Sequence, residues 1–220
     1  ANANEETKNK LSGALGDNTG ENISTKNPWY AELTAIYWAW KNLQKLGNPE
    51  NIGLAHYRRF LAFGAEDTTG KKNGEPIDVK ISDESIERAM QGFDIAAPIP
   101  WKLGDKTLVD FYEETHYGID LKKVMGILKE QNPEMAKAAD ETLQAKETQP
   151  CNMFIMKASV FDKYCSVLFG ALSTFEAQSD FANDPKYKGQ QQRVAGFLGE
   201  RITDCFIRYC EQTGMKITRA

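Results

Sequence analysis

Long apolar runs are missing from this 220-residue chain. No stretch approaches the roughly 18 consecutive apolar residues of a membrane span, and the first ten residues are polar and charged rather than a secretory leader. A cytoplasmic protein without a span is therefore expected. Cysteine is scarce: Cys151, Cys165, Cys205 and Cys210 fall at irregular spacings, with no Cys-x-x-Cys, each within or beside an apolar segment. That pattern predicts reduced core thiols rather than disulfides or metal ligands. An excess of positive charge is missing too. A formal net charge of -4 supplies no whole-chain cationic field, so nucleic acid is excluded as a partner and any bound anion should be small and held locally.

What is present is enough apolar residue, 41% of the chain, for one substantial core. Residues 1–12 are charged and aperiodic and read as a frayed or disordered terminus; 13–220 read as a single domain. Turn chemistry from Gly16 to Ser24 leads to a helix capped by Asn27, with Pro28 at its first position and Trp29, Leu33, Ile36, Tyr37, Trp40 and Leu43 on one face. Gly47-Asn48-Pro49 stops it. Ile52 to Ala55 predicts a strand buried on both faces. A polar excursion from Gly64 to Gly74 follows, with Asn73-Gly74 as a hairpin turn, then an edge strand at Ile77 to Ile81 and a helix capped by Ser82.

Phe93 to Pro98 and Asn152 to Lys157 read as core strands. Thr107 with Asp110 opens one helix as a capping box, Asp120 caps another, Ser159 a third, and 131–149 stays ambiguous. Residues 178–189 should loop outward before a last helix from Gln190 to Glu211. On that helix Arg201 falls inside the apolar arc of Val194, Leu198, Ile202 and Cys205, so its charge needs a partner. Strands alternating with amphipathic helices predict an α/β fold with a mainly parallel sheet flanked by helices.

Ligands of open α/β sheets gather beyond the carboxyl ends of the strands, where His56, Tyr57, Arg58 and Arg59 emerge. Guanidinium forks suit phosphate oxygens. The plain alternative is an arginine paired with a core carboxylate such as Glu32 or Asp94, because structural ion pairs imitate sites. Several runs then act together: Asp17-Asn18-Thr19-Gly20-Glu21-Asn22-Ile23-Ser24 with Lys26-Asn27; Glu32-Leu33-Thr34 with Tyr37-Trp38 and Trp40-Lys41-Asn42; His56-Tyr57-Arg58-Arg59; His116 with Asp120; Cys151-Asn152-Met153-Phe154; and Gln192-Arg193-Val194 with Glu200-Arg201. Over nearly the whole chain from Asp17 this combination resembles a bacterial family of capsular and exopolysaccharide glycosyltransferases, long filed as a domain of unknown function.

The resemblance implies a nucleotide-diphospho-sugar transferase-like (GT-A-like) fold. It would lack its first strand in this chain, since Ala1-Asn2-Ala3-Asn4-Glu5-Glu6 stands where that strand should have passed. It implies a donor substrate that is a nucleoside diphosphate sugar, a saccharide acceptor, free or lipid-linked, and work at the inner face of the cell membrane. Asp17, Asn22, Lys26, His56, Arg58 and Arg59 would then serve the donor diphosphate, and Asn152, Gln192 and Arg193 the acceptor sugar. Glu32, Asp94, His116 and Asp120 are candidates to take a proton from the acceptor hydroxyl. Many related transferases bind a divalent metal through Asp-x-Asp; none occurs here, which predicts arginine stabilisation of the leaving diphosphate and no protein metal ligands, with a divalent metal left open as a cofactor. A non-catalytic nucleotide- or carbohydrate-binding module is the alternative reading.

Overall fold

The computed structural model describes residues 14–55, 61, 71–72, 75–76 and 82–220. In chain order these form α1 (Asn27–Tyr30), α2 (Leu33–Lys41), β1 (Asn51–Leu54), β2 (Lys71–Lys72), β3 (Glu75–Pro76), α3 (Asp83–Met90), β4 (Ile95–Ala97), β5 (Trp101–Lys102), α4 (Leu108–Glu113), α5 (Gly118–Gln131), α6 (Ala136–Gln144), β6 (Glu147–Thr148), β7 (Phe154–Lys157), α7 (Ala158–Ala177), α8 (Val194–Gln212) and β8 (Ile217–Arg219). The result is a mostly helical α/β fold. His56 to Phe60, the excursion from 64 to 70, Asn73-Gly74, the expected strand Ile77 to Ile81 and residues 1–13 lie outside the described residues.

The main sheet has the order β1-β7-β4-β8. Strand β7 is antiparallel to both β1 and β4, and only β8 runs parallel to its neighbour β4. The expectation of a mainly parallel sheet is corrected: the described sheet is mixed. The physical reason is the entry of β7, which the chain reaches from β6 at the carboxyl edge and which therefore runs back between β1 and β4. Strand β1 is an edge strand, with Gly53 exposed rather than buried on both faces. Strand β4 is central, and Ile95, Ala96 and Ala97 are fully buried.

Helices α5, α7 and α8 bring Leu121, Phe161, Tyr164, Leu168, Leu198 and Phe206 into one large core cluster with Phe154 and Met156 of β7. Ala96, Met153 and Ile155 belong to a second, smaller cluster with Leu61 and Met90. Ser82 caps α3 and the capping box at Thr107 forms, both as the sequence predicts, and Ser85 completes a box at Ser82 as well. Other ends differ. Asp120 is the third residue of α5, whose cap is Tyr117, and α7 starts after Lys157 rather than at Ser159. Segment 178–193 straps inward, burying Phe181 and Tyr187, instead of looping out. Cys165, Cys205 and Cys210 are buried free thiols, and burial pushes those of Cys205 and Cys210 up to about 12. No described helix is long and apolar enough to cross a membrane.

The single helix expected from Asn27 is broken at Ala31, which has φ 49° and ψ -129°. Asn27 is inside α1 and not its cap; its Nδ2 donates across the break to the Ala31 carbonyl (2.9 Å) and the Thr34 hydroxyl (3.3 Å). Helix α8 rests on this break through two glycines. A Cβ on Gly196 would lie 3.3 Å from that of Ala31, and one on Gly199 would lie 2.6 Å from Leu33 Cδ1. Gly199→Val is therefore expected to destabilise by about 1–3 kcal/mol through overpacking. Gly126→Ala, where no atom lies within 4 Å of the added carbon, should stabilise slightly through helix propensity. Denaturant unfolding checks both signs.

Candidate functional site

The strand registers put the carboxyl ends of β1, β4 and β8 at one edge with the amino end of β7: Leu54 faces Phe154, and Ala97 faces Arg219. The chain turns into β7 at Cys151, which has φ 60°. This non-glycine residue in the left-handed region marks a tight, strained turn, and the next residue, Asn152, is 1% exposed. Its amide is set by its partners. Thr203 Oγ1 donates to Asn152 Oδ1 (2.9 Å), and Asn152 Nδ2 donates to Glu32 Oε1 (2.8 Å). An ionised carboxylate only accepts, so the NH₂ side must face Glu32. Tyr164, fully buried, adds its hydroxyl 2.8 Å from Thr203 Oγ1.

The second oxygen of Glu32 faces Arg193 at 3.5 Å. The Arg193 side chain is 57% exposed and that of Glu32 30%, so this pair adds little to stability and leaves both groups open to a ligand. Behind it lies an ionic cluster around a buried arginine. Arg201, 5% exposed, reaches Glu200 (2.8 Å), Asp204 (3.1 Å) and the Thr148 hydroxyl. Asp204 also accepts from the Gln149 amide (2.6 Å) and the Thr148 hydroxyl (2.7 Å). Burial pushes both carboxyls up, Arg201 opposes this, and the Glu32 charge raises Glu200 further. Arg201 is thus the buried anchor its place in the apolar arc implied. The roles of Asp204, Thr148 and Thr203 were not singled out in the sequence, although Asp204 at i+3 from a buried arginine was a readable signal.

His116 packs its ring against Phe197 and Tyr112, with centroids 4.0 and 4.8 Å away. Its Nδ1 lies 3.1 Å from Gln191 Oε1, while Gln191 Nε2 donates to the Thr115 carbonyl, so Nδ1–H is the donor to Gln191. Burial lowers the imidazole below its usual range, which favours the neutral ring. Gln192 itself is exposed. Asp120 is buried, and its Oδ1 accepts from Lys186 Nζ (3.1 Å) and the Tyr187 hydroxyl (3.2 Å). His116 and Asp120 thereby hold the strap that ends at Arg193.

The structure thus brings Glu32, Asn152 and Arg193 together and sets other candidates apart. Asn22 accepts from the Ser24 amide (3.1 Å) and hydroxyl (2.8 Å), an Asx turn of the lead-in. Asp17 accepts from the Thr34 hydroxyl (2.7 Å), and Lys26 pairs with Glu176 (2.7 Å). Asp94 stands before β4, at the opposite edge, where it accepts from Lys157 Nζ (2.9 Å) and the Lys216 amide (3.0 Å). That edge also holds a cleft of about 550 Å³ lined by Glu50, Asn51, Arg88 and Lys157. His56, Arg58 and Arg59 lie outside the described residues; Ala55 before them follows β1, and Leu61 after them is buried. Among the described residues no three His, Cys, Asp or Glu side chains are grouped to hold a metal ion.

Residues 2–213 match a family described as a domain of unknown function, DUF4422, and the chain belongs to that family. No curated protein sequence matches it. Among solved structures it is similar to the apo form of the WbbM bifunctional glycosyltransferase, at 31% identity and a TM-score of 0.79. The match covers 96% of this chain and 40% of that one, so this chain spans less than half the length of that protein.

The Lys157 ammonium, and then the Lys216 amide, hold the Asp94 carboxyl below the usual carboxylate range. A carboxyl held low by folding contributes stability above its unfolded pKa, roughly pH 4, and loses it as pH falls through the folded value. Asp94→Asn should therefore flatten the acid limb of stability against pH, measured by denaturant unfolding. An unchanged limb contradicts this.

Proposed function

We propose that this DUF4422 member is a GT-A-like glycosyltransferase that moves a sugar from a nucleoside diphosphate sugar to a saccharide acceptor. The observation that carries the reading is Glu32: a part-exposed carboxylate, oriented by a buried asparagine, at the edge of the sheet where ligands collect. The similarity to a solved glycosyltransferase supports it.

In this reading Glu32 accepts the proton of the acceptor hydroxyl as that oxygen bonds to the anomeric carbon. The bond from that carbon to the diphosphate breaks, and its electron pair leaves with the phosphate oxygen. Asn152 keeps one Glu32 oxygen aimed, and Arg193 with Gln192 lies at the rim where an acceptor sugar would sit. Arg58 and Arg59, assigned from the sequence alone, take the charge that develops on the diphosphate in place of a metal clamp, with His56 as their polar neighbour. The acceptor is a surface polysaccharide of the capsular or exopolysaccharide kind, free or lipid-linked, met at the inner face of the membrane.

Glu32→Gln should lower kcat for transfer by about 10²–10⁴-fold with little change in melting temperature. Uridine diphosphate should stabilise the protein, by about 2.7 kcal/mol at a hundred times its Kd, and Arg58→Ala or Arg59→Ala should abolish that shift. Full activity in excess chelator supports the arginine role, whereas strict dependence on added manganese sinks it. Nucleotide binding without any sugar release from a panel of donors favours the binding-module reading.

A further inference from the structure

Helices α2 and α7 form a groove of about 370 Å³ whose lining includes none of Glu32, Asn152 or Arg193. Four aromatic rings, Tyr30, Tyr37, Trp40 and Phe169, line it. Three of them have their polar tip tied to a carboxylate: the Tyr30 hydroxyl donates to Glu176 (2.8 Å), the Tyr37 hydroxyl to Glu21 (3.1 Å) and Trp40 Nε1 to Asp162 (2.8 Å). Rings tethered in this way are held from turning inward to fill the space, so the hollow is kept open by hydrogen bonds rather than left by loose packing. Phe169 locks the set. It meets Tyr37 edge-on at 5.0 Å and lies within 10° of parallel to Trp40 at 5.9 Å.

A lysine of the groove lies over one of these rings. The Lys41 ammonium lies 3.5 Å from the Trp40 centroid, and its ion pair with Glu21 is long, at 4.0 Å. A cation resting on a ring face by cation–π attraction is easily displaced at an open site. The rim charges largely cancel, because Lys26 pairs with Glu176 and Lys41 faces Glu21. That leaves no field to hold a phosphate. Instead the lining offers the Glu176 carboxylate and the exposed Ser166 and Ser173, acceptors and donors suited to a neutral polyhydroxylated molecule.

We propose that this groove is a second saccharide site, in which the C–H face of a sugar ring lies on Trp40, with Tyr37 standing perpendicular beside it, and its hydroxyls bond to Glu176 and Ser166. The chemistry is that of an uncharged glycan chain. The assignment rests on the transferase reading, under which the chain held here is the already built part of the acceptor.

The test titrates the full chain with short neutral gluco- and galacto-oligosaccharides, followed by saturation-transfer NMR and tryptophan fluorescence. Wild type and Glu32→Gln should bind alike, whereas Trp40→Ala should weaken binding by at least about tenfold, or 1.4 kcal/mol. Ser166→Phe, a groove-filling change at an exposed helix position, should do the same, and it keeps the test decisive if Trp40→Ala fails to fold. Binding that survives both groove variants overturns the proposal, as does binding lost in Glu32→Gln or no binding at all. A change of oligomeric state in the groove variants without sugar binding also overturns it, since the groove would then serve a protein contact. Transfer by wild type against Glu32→Gln decides the transferase reading separately.

Discussion

Helix α8 can stand where it does only because Gly196 and Gly199 let it touch the break between α1 and α2, with Leu33 less than a normal contact distance from where a Gly199 side chain would begin. That contact does two things at once. It fixes the backbone at Ala31, whose positive φ ends α1 and swings Glu32 towards the sheet edge. It also sets Glu200 beside Glu32, since these residues directly neighbour the touching pair Gly199 and Leu33. A bulkier residue at either glycine would separate the carboxylates from the asparagine that orients one of them.

The second consequence is a polar chain through a dry interior. Tyr164, Thr203 and Asn152 are each almost fully buried, and each finds a hydrogen-bond partner in the next, ending at Glu32. Buried polar groups left unpaired cost about 1–3 kcal/mol each, so a chain of this kind is rigid because every link depends on the others. The Arg201 cluster acts in the same way one turn along, tying α8 to the Thr148-Gln149 segment that feeds β7. Both networks converge on the short turn at Cys151 and Asn152.

Much of this was legible in the sequence where one local rule sufficed. The cap at Ser82, the capping box at Thr107, the central strand at Ile95 and the buried partner demanded by Arg201 all follow from spacing within a few residues. What could not be read depends on contacts distant in the chain. Pro28 sits in the first turn of a helix as its chemistry suggests, but Asn27 is not the cap, and the break at Ala31 packs against glycines some 165 residues later. The direction of β7 is set by where the chain enters the sheet, which composition does not encode. Glu32 and Asn152 were both named as candidates; their pairing across the fold was not, because no periodicity links them.

The account stands on which edge of the sheet receives the nucleotide. The most direct measurement is a structure of the full chain with uridine diphosphate bound. The diphosphate should lie at the carboxyl edge, beside the end of β1 and within reach of the Glu32, Asn152 and Arg193 group. A diphosphate seated instead in the cleft at the opposite edge, against Arg88 and Lys157, would contradict it.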